Sequence, residues 1–141
     1  MRIVVTAKTA SELPRVFEEL RACTACLDDA TLVDREMRLP FEFIDSDNIR
    51  FGRSLTNLGR PTAMVPVMQA YLVVRNVASC ATEYTAGSAA GTLTVDYDET
   101  AMLWTLRVAP QAALRVSVEG LDACVLVSDE QIGEIPLTMC T

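Results

Sequence analysis

The segment LTVDYDETAMLWTLRVAPQAALRVSVEG, residues 93–120, carries the clearest structural signal in the chain. Apolar and polar residues alternate through three short runs, most cleanly from Leu114 to Glu119. A period of two is typical of strands with one buried and one solvated face. Turn-forming residues at 98–101 and 110–112 separate the runs. The segment therefore predicts a β-meander, in which consecutive strands pair antiparallel.

The N-terminal part predicts a strand followed by a helix. Arg2–Thr6 is rich in β-branched residues, which favour a strand. Ser11 can then cap a helix over residues 11–27. Apolar residues recur there at helical spacing, at Leu13, Val16, Phe17, Leu20 and Leu27. Such a stripe indicates a helix that covers a sheet.

The middle of the chain returns to strand patterns. Residues 37–43 alternate, and Pro40 within them indicates an edge strand or a bulge. Residues 64–77 are apolar and β-branched, which predicts a buried central strand. Residues 45–62 form a long connection and residues 80–90 a small-residue loop.

These elements predict the α+β class and a single domain over residues 1–141. One helix (about 11–27) would be packed on a mainly antiparallel, twisted sheet of six to eight strands with a C-terminal β-meander.

Composition excludes several kinds of chemistry. The 141 residues include no histidine, and Lys8 is the one lysine. A serine–histidine triad and histidine metal ligands are therefore excluded. The net charge of −7 opposes binding to nucleic acid or anionic lipid. The apolar stretch 63–78 is too short and too interrupted to span a bilayer. We expect neither nucleic acid nor a membrane as partner.

Five cysteines are an odd number and cannot all pair within one chain, and we expect a reduced, cytosolic protein. Cys23 and Cys26 form a CxxC pair, a spacing found in redox and zinc sites. The pair falls in the last turn of the predicted helix, where the dipole disfavours a thiolate. Zinc would need two further ligands. We expect no metal site and no cofactor.

Two acidic clusters also fit local structure better than chemistry. The run from Asp45 to Asn48 resembles a calcium loop until Ile49 breaks the pattern. Asp96 and Asp98 fall where a strand enters a hairpin turn, a position that favours Asp for local hydrogen bonding. We therefore expect no catalytic residues at either cluster.

A small basic surface is the best candidate binding site. No acid occurs between residues 48 and 82, whereas residues 61–141 carry three bases and nine acids. The predicted binding residues are Arg50, Phe51, Arg53 and Arg60. Arginine binds carboxylates and phosphates through two parallel hydrogen bonds, and an aromatic ring can stack. Pairing of these arginines with acids of the same chain is the alternative.

Three functions remain open from the sequence. The first is a non-catalytic structural or protein-interaction module that self-associates as a homo-oligomer. The second is a binding protein for a small molecule, or for a basic protein partner that its acidic C-terminal half would attract. The third is an enzyme that uses Asp, Glu or Cys. It would require Asp96, Asp98 or Glu99 and the cysteines to meet in one cleft.

Overall fold

The structure is a computed structural model that describes residues 1–21, 23–45, 50–53, 61–83, 89–108 and 112–136. Its one α-helix in those ranges is α1 (Leu13–Glu19), preceded by a 3-10 turn over Ala10–Glu12. A second 3-10 turn covers Leu27–Asp29. The strands are β1 (Arg2–Ala7), β2 (Thr24–Cys26), β3 (Thr31–Val33), β4 (Glu36–Ile44), β5 (Arg50–Arg53), β6 (Pro61–Val74), β7 (Val77–Glu83), β8 (Ala90–Asp98), β9 (Leu103–Val108), β10 (Ala112–Val118) and β11 (Ala123–Pro136).

All described strand pairs are antiparallel, and they join the eleven strands into one sheet. The order is β1-β11-β6-β4-β2-β8-β9-β10-β7, with β3 beside β4 and β5 beside β6. The α+β class and antiparallel pairing are therefore confirmed, whereas the predicted six to eight strands were too few. The predicted meander is present as β8, β9 and β10. The chain then leaves it, because β11 pairs with β1 and β6.

The short strand β2 connects the two halves of this sheet. It pairs with β4 at Phe41 and with β8 at residues 90–92. Buried residues of both halves, such as Leu72 in β6 and Leu106 in β9, belong to one apolar cluster. The helix α1 adds Val16 to the same cluster. Both halves of the sheet and α1 therefore contribute to one core.

Trp104 of β9 belongs to that core and is fully buried. Its ring meets Phe17 of α1 edge-on, with centroids 6.4 Å apart. It also contacts Tyr97 of β8, with centroids 4.9 Å apart. These contacts connect the helix to the meander half of the sheet.

The predicted helix over residues 11–27 was too long. The apolar stripe is helical only as far as Leu20, and α1 ends at Glu19. Residues 24–26 form β2 instead, because this segment supplies the ladder between β4 and β8. Pairing with two distant strands outweighs the local helical spacing.

The prediction of an edge strand or bulge at Pro40 was also wrong. Its strand β4 is interior, with β6 on one side and both β2 and β3 on the other. On that second side the described ladders pair Phe41 with β2 and Arg38 with β3. Pro40 stands between those two ladders, so its missing N–H costs no ladder hydrogen bond there.

Two tight connections position the strand β7. Asp34 and Arg35 have φ values of 52° and 63° in the two-residue turn between β3 and β4, as a type I′ hairpin requires. Asn76 has a φ of 59° between β6 and β7, a conformation that asparagine tolerates well. The chain therefore passes directly from the central strand β6 to the outer strand β7.

Within the described ranges, no helix has the length and apolar content that a membrane crossing needs.

Candidate interaction surface

The strand β7, with the sequence VASCATE, lies at one end of the sheet. Val77 is buried, but the next six residues, 78–83, are all exposed. They are small and uncharged except for Glu83. The sequence prediction placed a loop from residue 80 onward and missed this strand. Because both faces of β7 are exposed, its sequence lacks the alternation that identifies half-buried strands.

The hydrogen bonds at the end of β10 show which of its residues face β7. The amide of Val118 donates to the carbonyl of Met102, at 3.0 Å, on the β9 side. The amide of Glu119 donates to the carbonyl of Asn76, at 2.9 Å, on the β7 side. Backbone groups alternate sides along an antiparallel strand. Odd-numbered residues of β10 therefore bond to β7.

The register extends this alternation to β7 itself. Ser79 and Ala81 lie opposite odd-numbered residues of β10 and complete its ladder. The N–H and C=O groups of Cys80 and Thr82 consequently point away from β10. Among the described strands, none pairs with β7 on that side. We call the outward side of residues 78–83 the β7 edge.

Charged side chains mark both ends of the β7 edge. At its beginning, the amide of Val77 donates to the carbonyl of Arg35, at 3.0 Å. The Nε of Arg35 donates to the carbonyl of Val77, at 3.3 Å, and its guanidinium also pairs with Glu119. At the other end, Glu83 forms an ion pair with Arg115, at 3.2 Å. The neutral stretch of the edge therefore runs between an arginine and a glutamate.

The predicted basic surface falls only in part on described residues. Arg50, Phe51 and Arg53 belong to β5, whose backbone pairs with residues 61–64 at the beginning of β6. Arg60 lies outside the described residues. The binding role of these four residues stays a prediction.

The two cysteines of the CxxC pair lie at the two ends of β2. Cys23 precedes β2, and Cys26 is the last residue of β2. Burial, and then the nearby carboxylate of Glu19, raise the pKa of the Cys23 thiol to about 11. A thiol with this pKa is protonated at neutral pH and a weak nucleophile. The described residues contain no group of three or more Cys, Asp and Glu side chains that could hold a metal ion.

The carboxylates at the end of β8 bond to their own turn. Oδ1 of Asp98 accepts hydrogen bonds from the amides of Thr100 and Ala101, at 3.0 and 3.1 Å. Oδ1 of Asp96 accepts from the amide of Tyr97, at 2.9 Å. The local role predicted for these aspartates is confirmed.

The cysteine pair and the turn carboxylates lie at opposite ends of β8. Cys26 pairs with Ala90, eight residues before Asp98. At about 3.4 Å per residue, the two positions are about 27 Å apart along the strand. The structure therefore separates Cys26 from these carboxylates.

A small apolar cluster, separate from the main core, lies on the other face of the sheet beneath ion pairs. Cys124 is fully buried there, and burial raises the pKa of its thiol although Arg75 opposes the shift. The Nε of Arg75 lies 3.1 Å from Glu36, and its Nη1 lies 3.4 Å from Asp122. Hydrogen bonds from Arg38 and Arg75 lower the pKa of Glu36. The arrangement stabilises the sheet and keeps the thiol from solvent.

A cleft of about 390 Å³ opens beside the end of β4. Asp45 in its wall has a side chain only 7% exposed, and its Oδ2 lies 3.4 Å from Nη2 of Arg2. Val4, Phe43 and Ile135 add apolar walls. The lining also includes two further carboxylates and two guanidinium groups, those of Glu19, Glu42, Arg2 and Arg21. The cleft has the volume of a small-molecule site.

No protein-family model, curated protein or solved structure matches the chain.

Proposed function

We propose that this protein is a non-catalytic protein-interaction module that associates with a second copy of itself through the β7 edge. The observation that carries the proposal is a row of six exposed, mostly neutral residues with outward backbone groups at Cys80 and Thr82. Unpaired strand edges are templates for another strand. We also propose that the protein is cytosolic, in line with an odd number of cysteines that cannot all form disulfides within the chain.

The opposite end of the sheet provides an informative contrast. Its strand β1 has a bulge between Ile3 and Val5, and Arg2 brings a charge to the edge. Proteins commonly use bulges and charges to prevent edge-to-edge pairing. The strand β7 has a bulge only at its first residues, and it carries no charge from Val77 to Thr82. These features make β7 the edge that accepts an added strand more readily than β1.

Substitution of Thr82 by proline tests the proposal. Proline removes the outward N–H and places its ring in the path of an added strand. The ladder with β10 keeps its hydrogen bonds, because the amide of Thr82 does not take part in it. We expect sedimentation to show a concentration-dependent dimer for the wild type and a monomer for Thr82→Pro. Thr82→Ser is the matched control, since it keeps the N–H and should still associate.

Two outcomes would contradict the proposal. A wild type that sediments as a monomer at all concentrations would exclude self-association. A Thr82→Pro variant that is folded, by circular dichroism, and still dimerises like the wild type would place the contact elsewhere.

The cleft beside β4 favours a second candidate function, the binding of a small molecule. A ligand with both an acidic and a cationic group beside an apolar body would suit a lining that includes Arg21, Glu19 and Phe43. A screen for ligands that raise the melting temperature, repeated on Phe43→Ala, tests it. Stabilisation that is equal in both proteins would exclude this cleft.

The acidic turn residues Asp96, Asp98 and Glu99 remain candidates for contact with a basic protein.

A further inference from the structure

We infer that the cleft beside β4 binds the free N-terminus of an extended peptide, which adds a short parallel strand to the end of β4. The inference rests on the second candidate function, ligand binding in this cleft, and is independent of self-association through the β7 edge. Two observations carry it. Backbone groups at the end of β4 face away from β6 without a described partner strand, and carboxylates line the same cleft.

The hydrogen bonds of β4 show which of its residues face away from β6. The amide of Asp45 donates to the carbonyl of Pro66, at 2.9 Å, so odd-numbered residues of β4 bond to β6. The two-residue hairpin with β3 closes at Glu36, so even-numbered residues face β3 and β2. The two ends of the strand thus give the same alternation. The outward groups near the end of β4 are those of Glu42 and Ile44.

The strand β2 leaves this end of β4 uncovered. The described pairing between them is one pair, Ala25 with Phe41. Because Phe41 is odd-numbered, the bonds around this pair involve its neighbours in β4, and the amide of Glu42 takes the last of them. The carbonyl of Glu42 and both backbone groups of Ile44 lie beyond it. Among the described strands, none pairs with β4 there.

The cleft is lined by this end of β4 and by the segment that precedes β2. Residues 42–45 belong to its lining, as do Glu19 and Arg21. The ion pairs among the described residues include Arg2 with Asp45, but none that involves Glu19, Glu42 or Arg21. Two carboxylates and one guanidinium are therefore left to a ligand. This excess of negative charge favours an ammonium group.

The three outward backbone groups match the beginning of a parallel strand. In a parallel ladder, a residue donates to the carbonyl before its partner residue and accepts from the amide after it. A first peptide residue beside Phe43 thus donates to the carbonyl of Glu42 and accepts from the amide of Ile44. The amide of the third peptide residue then donates to the carbonyl of Ile44. Pairing of this kind is a common mode of peptide recognition.

The position of β2 requires the peptide to end in the cleft. Thr24 already lies beside Glu42, so the added strand has no room for a residue before its first. The α-ammonium group consequently lies next to Glu42, and the first side chain lies on the face of Phe43. An antiparallel peptide would bond to the same groups, but it would direct its C-terminal carboxylate toward the carboxylate of Glu42. The charges therefore favour the parallel arrangement.

Titration calorimetry of the full chain with three small peptides tests the inference. Leucyl-glycyl-glycine amide offers a free amine and an apolar first side chain. We expect it to bind about tenfold more tightly than its N-acetylated form, because acetylation removes the charge from the donor. N-acetyl-glycyl-glycyl-leucine offers a free carboxylate instead. Tighter binding of that peptide would overturn the inference in favour of the antiparallel arrangement.

Two measurements locate the bound amine. Glu19→Gln should weaken binding of the free-amine peptide about fivefold. Glu18→Gln is the matched control, since Glu18 is exposed and outside the cleft lining, and it should change binding less than about twofold. In hydrogen exchange, the bound peptide should slow the amide of Ile44 and leave that of Asp45, already bonded to Pro66, unchanged.

Equal binding of the acetylated and free-amine peptides, or an Ile44 amide that a bound peptide leaves unprotected, would overturn the inference. If no peptide binds but the ligand screen finds stabilisation that Phe43→Ala removes, the inference fails and the second candidate function stands. If the screen also finds none, both fail. Sedimentation of the wild type decides self-association separately in every case.

Discussion

Replacement of Trp104 tests whether one core connects the helix and both halves of the sheet. The side chain is fully buried and contacts Phe17 and Tyr97. A buried tryptophan removes about 150–250 Å² from water, which at about 25 cal/mol per Å² is about 4–6 kcal/mol. Truncations of buried aromatic residues to alanine cost about 3–5 kcal/mol. We therefore expect Trp104→Ala to lower the free energy of unfolding by about 4 kcal/mol.

Trp104→Phe separates ring burial from the polar group of the indole. Nε1 of Trp104 is buried and has no hydrogen-bond partner among the described residues. A buried donor without a partner costs about 1–3 kcal/mol, so its removal offsets part of the lost ring volume. We expect Trp104→Phe to cost about 1–2 kcal/mol, less than half of the alanine effect.

Urea unfolding followed by far-UV circular dichroism measures both variants without relying on the fluorescence of the single tryptophan. With a slope of about 1.5 kcal/mol per M, the alanine variant should unfold at a urea concentration more than about 2 M lower. A phenylalanine variant as unstable as the alanine variant would contradict this account of Trp104. An alanine variant that loses less than about 1 kcal/mol would show that the shared core is absent.

Three further predictions concern stability and thiol reactivity. Gly91→Ala should cost about 1–3 kcal/mol in thermal unfolding, because Gly91 has a φ of 154° and a Cβ there would lie 3.0 Å from a valine of β9. Gly133→Ala, with nothing within 4 Å, should change stability by less than about 0.5 kcal/mol. The lowered pKa of Glu36 means that its ion pairs contribute stability above its unfolded-state pKa, a contribution lost as the pH falls through the folded value. The wild type should therefore lose more stability than Glu36→Gln between about pH 5 and pH 3, and equal losses would contradict this contribution. Brief maleimide labelling with peptide mapping should modify the exposed Cys80 and leave the buried Cys124 unmodified, and the opposite order would refute the assigned exposures.

Prediction from sequence succeeded for strands that bury one face and pair with strands close to them in the chain. The meander from Leu93 to Val118 alternates cleanly, because each strand pairs with its sequence neighbour and has one buried face. The central position of β6 also followed from its apolar run. In both cases, local composition and long-range packing favour the same structure.

Prediction failed where distant pairing decides the structure. Residues 24–26 continue a helical spacing, yet they form β2 because they pair with the distant strands β4 and β8. Pro40 is interior because a gap between two ladders accommodates it. The β7 edge was missed because its residues are small and exposed on both faces. Asn76, a residue suited to the turn that follows β6, is the sequence signal that could have indicated the strand.

Amide hydrogen exchange by NMR, measured at several protein concentrations, tests the central proposal most directly. The account predicts that the amides of Cys80 and Thr82 exchange more slowly as concentration rises, because a second copy then covers them. The amides of Ser79 and Ala81 already bond to β10 and should exchange at the same slow rate throughout. Exchange at Cys80 and Thr82 that stays fast at every concentration would contradict self-association through the β7 edge.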